Sequence, residues 1–151
     1  MKIQEANIRR IFFARLSENE DILEAVERIA NQRKINSAIF FIIGTLKRAN
    51  VGFYLEGEYQ PITISHPLEV VSCIGNISKK DGKEIIAHAH ITVSNGEGKA
   101  FGGHVLRGCL VGATCELTIL EVEGITLDRK LDKKTGLYLW AFKNSRKKRR
   151  S

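Results

Sequence analysis

Two hydrophobic periods divide the chain. From Asn7 to Leu16 the apolar residues gather at Ile8, Ile11, Phe12, Phe13 and Leu16, the texture of a strand. Ile22, Leu23, Val26, Ile29 and Ala30 then recur on one helical face, so Glu18–Arg33 is predicted to be an amphipathic helix. Ser17 and Glu20 have the spacing of a capping box, in which hydroxyl and carboxylate each satisfy a free N–H of the helix start. Asp21 and Glu24 add negative charge at the positive end of the helix dipole. Beyond Asn36 the helical period is lost. Ser37–Arg48, Val51–Glu56, Tyr59–Ile64, Leu68–Ile77, Glu84–Val93, Ala100–Leu106, Leu110–Val122, Ile125–Leu131 and Gly136–Phe142 all read as strands. His66-Pro67 interrupts the series, Asp81-Gly82 marks a tight hairpin, and Ser94–Lys99 is a polar loop. The most apolar run, Ser37–Gly44, is expected to be a buried strand, being far shorter than the ~20 residues that span a bilayer.

One helix followed by eight or more strands excludes a doubly wound parallel fold. The pattern predicts an α+β domain over residues 1–142, an antiparallel, barrel-like β-sheet with one main helix near the N-terminus. A length of 151 residues with 43% hydrophobic content suits a single domain with an ordinary core.

The net charge of +7 is concentrated at one end. Lys143, Arg146, Lys147, Lys148, Arg149 and Arg150 supply six of the 24 basic residues, and without them 18 face 17 acidic ones. The domain is therefore nearly neutral, and residues 143–151 are expected to form a disordered basic tail. Arg146–Arg150 can neutralise nucleic-acid phosphates, although such a run carries no means of reading bases. Met1–Leu16 carries Lys2, Arg9, Arg10 and Arg15 and no long apolar run, which predicts a cytoplasmic protein without a signal peptide or membrane association. Cys73, Cys109 and Cys115 are odd in number and sit among apolar or small neighbours, as expected of buried thiols in a reducing compartment.

The segment Ile86-Ala87-His88-Ala89-His90-Ile91-Thr92-Val93 carries the most chemistry. Strand alternation puts His88 and His90 on one face and turns Ala87, Ala89, Ile91 and Val93 toward packing. Two imidazoles one pleat apart can reach one ion at about 2.0–2.1 Å. His104, in Phe101-Gly102-Gly103-His104-Val105, follows the polar loop, and a hairpin through that loop brings it beside the other two. Three imidazoles with a free fourth position match a catalytic type of zinc site rather than a closed structural one. Spacing alone leaves a second option open, a polar patch of sheet with His104 unrelated.

Glu69 and Glu116 interrupt apolar strands, so each either faces water or stands near the site as an acid–base group; Arg107 and Arg129 are candidate partners for an acid. His66 reads as a turn residue. Gly96-Glu97-Gly98-Lys99-Ala100 is not a phosphate-binding loop, since no Ser or Thr follows the lysine and strand texture comes next.

Read in order, Pro67-Leu68-Glu69-Val70-Val71-Ser72-Cys73-Ile74-Gly75-Asn76-Ile77-Ser78, His88-Ala89-His90-Ile91, Gly102 through Cys109, Thr114-Cys115-Glu116, and Arg129 with Thr135-Gly136-Leu137 resemble the plants-and-prokaryotes conserved domain, the PPC domain, in its prokaryotic form. The resemblance covers about Arg15–Trp140. It implies an α+β fold, a homotrimer, and zinc held at His88, His90 and His104. It also implies kinship with acetolactate decarboxylase, whose zinc is likewise held by histidines. Plant relatives carry AT-hooks and act on AT-rich DNA, whereas this sequence has no Arg-Gly-Arg-Pro core. Three functions follow as expectations. The chain is a trimeric zinc-binding interaction or regulatory module associated with DNA, a zinc enzyme acting on a small oxo- or hydroxy-acid, or a small-ligand sensor using the same pocket.

Overall fold

The computed structural model describes residues 1–142; the basic tail lies outside the described residues. The chain runs β1 (Asn7–Ser17), α1 (Ile22–Arg33), β2 (Ala38–Leu55), β3 (Glu58–Ile64), β4 (Leu68–Lys80), β5 (Glu84–Ser94), β6 (Ala100–Val105), β7 (Leu110–Glu123), β8 (Asp128–Leu131) and β9 (Tyr138–Trp140). One helix against a single large sheet is the expected α+β arrangement. All pairings are antiparallel except β4–β8, which is parallel, so the sheet is mixed at that margin.

β2 organises the fold. The two strands expected over Ser37–Arg48 and Val51–Glu56 are one strand of 18 residues. Its first half pairs with β7 on one edge and β4 on the other, and its second half pairs with β3 and β6. Because β4, β5 and β6 are also joined in sequence order, β2–β4–β5–β6 closes into a ring, the barrel-like feature. A long strand can join two sets of partners only by coiling. The register shifts at Gly44 on both of its edges, where φ is +134° and an added Cβ would lie 2.4 Å from the Thr114 carbonyl oxygen.

The helix begins later than the capping-box spacing predicts. Asp21, not Ser17, is the N-cap, accepting from the Leu23 and Glu24 N–H groups at 2.9 and 3.1 Å. Ser17 is the last residue of β1, and Glu20 reaches back to accept from its N–H at 2.7 Å, closing the turn between strand and helix. Lys34 ends the helix in the left-handed conformation. Ile22, Leu23, Val26 and Ala30 of α1 join Phe40, Ile42 and Leu46 of β2, Ile77 of β4, Val93 of β5 and Leu117 and Ile119 of β7 in one core. Cys73, Cys109 and Cys115 are free thiols within it, and burial pushes their pKa values up to about 12, 11 and 11. Among the described residues no helix is long and apolar enough to cross a membrane.

The run Ser37–Gly44 is not buried on both faces. Phe40 and Ile42 enter the core, while Ile39, Phe41 and Ile43 point outward and are exposed. Directly opposed residues of antiparallel strands share a face. Register therefore extends this outer face through Phe13 (β1), Thr118 (β7), Phe41 (β2), Ile74 (β4), His90 (β5) and His104 (β6). A parallel row runs Ile11, Leu120, Ile39, Asn76 and His88. Both rows begin in exposed apolar side chains and end in the histidines. Phe13 is 81% exposed, Ile74 57% and Ile43 55%.

Candidate metal centre

The Asp81-Gly82 turn sets the register that builds the site. Both residues have positive φ, 52° and 70°, as a primed hairpin turn requires. From this turn the ladder places Ser78 opposite Ile86, Asn76 opposite His88 and Ile74 opposite His90. On the other edge of β5 the Ser94–Lys99 loop returns the chain as β6, which puts His104 directly opposite His90. At that point β6 leaves β5 and pairs with β2, with His104 opposite Gly52. Among the described residues, the rest of the β5 edge, toward Glu84, is thus left without a strand partner. Glu27 of α1 accepts from the Ala87 N–H there at 3.0 Å, and a cavity opens beside His88 and His104.

The three imidazoles converge as their spacing and the hairpin predict. Their ring centroids lie 5.4 Å (His88–His90), 4.9 Å (His88–His104) and 5.3 Å (His90–His104) apart. One nitrogen from each lies within 4.8 Å of the others. The His88 Nε2 to His104 Nδ1 separation is 3.2 Å, close to the edge of about 3.3 Å expected between two nitrogens of a tetrahedral zinc site. The donor set is that of a divalent metal of intermediate softness. Burial, then Arg129 and the other two imidazoles, push the His88 pKa down to about 4. Burial, then His90 and Arg129, do the same for His104. Both rings are neutral at physiological pH, the form that ligates.

Arg129 completes the cluster. Only 9% exposed, it donates from Nε to Ser78 Oγ (3.0 Å), from Nη1 to the Tyr138 carbonyl (2.9 Å), and from Nη2 to Asn76 Oδ1 (3.0 Å) and His88 Nδ1 (3.0 Å). All four acceptors are uncharged. Among the described residues no carboxylate forms an ion pair with it. Burial lowers its pKa. Tyr59 stacks on His104 at 4.2 Å between ring centroids. Gly52 makes that contact available, because a Cβ there would lie 2.9 Å from the Tyr59 ring. The cavity of about 320 Å³ is lined by Tyr59, His88, His104, Arg129, Leu137 and Tyr138, among others.

The other candidates stand elsewhere. Arg107 forms an ion pair with Glu27 and lines an adjoining cavity with His104. Glu69 and Glu116 are exposed and share a shallow depression with Ile43 and Thr114 that none of the three histidines lines. His66 sits in the turn before Pro67, its Nδ1 3.2 Å from the Pro67 carbonyl. Tyr59, Asn76, Ser78 and Tyr138 belong to the site and do not stand out in the sequence. Asn76 and Ser78 were accessible by counting back from the Asp81-Gly82 turn; Tyr59 and Tyr138 arrive by tertiary contact and leave no local signal.

A mixed sheet closes around a long central strand and carries a three-histidine cluster where two strands of the ring diverge. The Plants and Prokaryotes Conserved (PCC) domain matches residues 3–123, and the chain belongs to that family. A plant- and prokaryote-conserved protein from Pyrococcus horikoshii is similar over 94% of this chain and 98% of its own, with 35% identity and a TM-score of 0.85. A metal-containing protein from Archaeoglobus fulgidus is similar over 94% of this chain and 100% of its own, with 30% identity and a TM-score of 0.86. A Staphylococcus aureus protein described as similar to alpha-acetolactate decarboxylase is similar in fold over 81% of this chain and 55% of its own, with 15% identity and a TM-score of 0.52. Among curated proteins, the bifunctional protein GlmU of Synechococcus sp. (strain JA-3-3Ab) is 27% identical over 128 residues, 84% of this chain; the chain spans 20% of that relative's length.

Proposed function

We propose that the chain is a zinc-binding PPC-domain protein that assembles as a homotrimer and works in the cytoplasm as an interaction or regulatory module on DNA. The observation that carries the metal assignment is the convergence of His88, His90 and His104, two of them held neutral, within 4.8 Å. The metal-containing Archaeoglobus relative supports it. Assembly is supported by the outer sheet face, where Phe13, Phe41, Ile43 and Ile74 expose large apolar surface that a second copy would cover. The DNA association is supported by relatives of similar fold, among them a candidate DNA-binding protein from Ralstonia eutropha at 30% identity. In this chain the basic run Arg146–Arg150 would supply the phosphate contacts, and three such tails on one trimer add avidity.

Elemental analysis of the purified full chain tests the centre. One zinc per chain is expected, with loss of most of it in His88→Ala and in His104→Ala. Full metal in both variants would sink the assignment. A gel shift at low salt tests the tail separately: a blank with the tail intact removes DNA from the reading.

A specific observation favours a second reading, in which the cavity takes a small acid as an enzyme substrate or a sensed ligand. Arg129 is a buried cation at the histidines with no carboxylate partner among the described residues. Bound zinc can polarise a carbonyl or activate water. Turnover of an oxo- or hydroxy-acid by zinc-loaded protein would identify an enzyme, and binding without product a sensor.

A further inference from the structure

The hydrogen bonds linking Arg129, His88 and His104 run in one direction. A guanidinium has no acceptor, so Arg129 Nη2, 3.0 Å from His88 Nδ1, donates to it. A neutral His88 that accepts at Nδ1 carries its proton on Nε2. That nitrogen, 3.2 Å from His104 Nδ1, is then the donor to His104. With donation in that direction, the His88 nitrogen turned toward the other imidazoles is the one that carries the proton.

A metal on that nitrogen needs the opposite tautomer. Metal-ligating imidazoles place their proton on the far nitrogen and donate it to a carbonyl or carboxylate. In His88 that proton would sit on Nδ1, where it would confront an N–H of Arg129, two donors with no acceptor between them. The neighbouring strand carries an acceptor that could take it. Asn76 stands directly opposite His88 on β4, and its Oδ1 now receives the same Arg129 nitrogen at 3.0 Å.

We propose that metal binding switches Arg129 from a donor to His88 into a receptor for a small oxyanion, a carboxylate or a phosphate, so that metal and anion bind with positive coupling. This rests on the metal reading above. His88 Nδ1–H turns to Asn76 Oδ1, and an Arg129 N–H is released toward the cavity of about 320 Å³ that Arg129 shares with Tyr59, His88 and His104. The bonds to Ser78 Oγ and the Tyr138 carbonyl keep the guanidinium anchored. An anion would supply the counter-charge that no carboxylate among the described residues provides. A second cation stands nearby: Lys80, 4.4 Å over the Tyr138 ring, lines the adjoining cavity, which shares Ile86, Ala87, His104 and Tyr138 with the first.

The tautomers can be read directly in the full wild-type chain by two-bond ¹H–¹⁵N correlation of the imidazole rings, before and after one equivalent of Zn²⁺. The Nε2–H form of His88 is expected without metal and the Nδ1–H form with it; an Nδ1–H form already present without metal overturns the proposal. Competition titration of Arg129→Met gives a second arm. Its Zn²⁺ affinity should rise about tenfold or more, the factor set by one charge-assisted hydrogen bond that no longer has to break. In the wild type Zn²⁺ should tighten binding of pyruvate or methyl phosphate, and that gain should vanish in Arg129→Met; the probe that responds distinguishes carboxylate from phosphate. Unchanged or weaker Zn²⁺ binding by the folded variant, or binding of neither probe by zinc-loaded wild type, overturns the coupling. The spectra need no variant and decide the matter if Arg129→Met does not fold. A wild type that takes up no Zn²⁺ defeats the metal reading instead, while the metal-free spectrum still reports the His88 tautomer.

Discussion

Ile74 and His90 are direct cross-strand partners on β4 and β5, and their pairing joins the exposed apolar face of the sheet to the histidine cluster. One edge of the face that would meet a second copy is thus one wall of the candidate metal centre, and His90 is its exposed member.

Placing charge in the middle of this face should separate the copies without unfolding the domain. Phe41 is paired with Ile74 on one side and Thr118 on the other and points outward. In Phe41→Glu the mass by light scattering should fall about threefold, from a closed trimer to a single chain. The far-ultraviolet circular dichroism should stay unchanged, because the core neighbours Phe40 and Ile42 are untouched. A wild type that already runs as a single chain would remove the trimer from the reading.

Gly75→Ala should destabilise the sheet beneath the site. A Cβ at Gly75 would lie 2.2 Å from Phe40 Cζ and 2.7 Å from the His88 carbonyl oxygen. The ring is fully buried and the carbonyl belongs to the ladder, so neither can move aside cheaply. A loss of about 1–3 kcal/mol, typical of overpacking, is expected in the urea midpoint. Gly82→Ala is a useful contrast, since its added Cβ meets nothing within 4 Å and only its φ of +70° is unfavourable.

Much of this was legible in the sequence because strand geometry is local. Alternation alone pairs His88 with His90, and the loop at Ser94–Lys99 brings back His104; whether the cluster holds a metal is what the pattern left open. The Asp81-Gly82 turn also fixes Asn76 opposite His88, although that step requires counting pairs across the hairpin. Arg129 could be named as a candidate and no more, because its position depends on the parallel β4–β8 pairing, which no period announces. The run Ser37–Gly44 misled for a physical reason. A strand buried on both faces and one with an exposed apolar face have the same composition. The helix start misled because Glu20 does reach back to Ser17, but it closes a turn ahead of the helix rather than capping it.

The two possible caps can be separated by mutation. Asp21 accepts from the Leu23 and Glu24 N–H groups, and its second oxygen accepts from Gly108 N–H at 2.5 Å, tying the helix start to the segment before β7. Asp21→Ala should therefore cost about 1–2 kcal/mol, the upper part of the range for a lost cap. For Ser17→Ala a change within about 0.5 kcal/mol is expected, as for a substitution outside any such feature, because Ser17 joins the turn through its backbone, its N–H donating to the Glu20 carboxylate and its carbonyl accepting from the Glu20 N–H. Equal losses in the two variants would restore Ser17 as the cap.

The depressed histidines also set a pH dependence. His88 and His104 are held at about 4 in the folded chain, against about 6.5 for an unperturbed imidazole. Between these values the unfolded chain binds protons that the folded one refuses, so stability rises with pH across the interval. The contribution is present above about pH 6.5 and is lost as pH falls toward 4. The urea midpoint of the metal-free protein should accordingly drop between pH 7 and pH 5. A His88→Gln, His104→Gln double variant has no imidazole left to charge at either position and should drop less over the same range. Saturating zinc should steepen the wild-type profile, because the metal holds both rings neutral in the folded state and protons must compete for them. Parallel profiles for the metal-free wild type and the double variant would mean that His88 and His104 titrate in the fold as they do in the unfolded chain, and the burial that holds them neutral would lose its support.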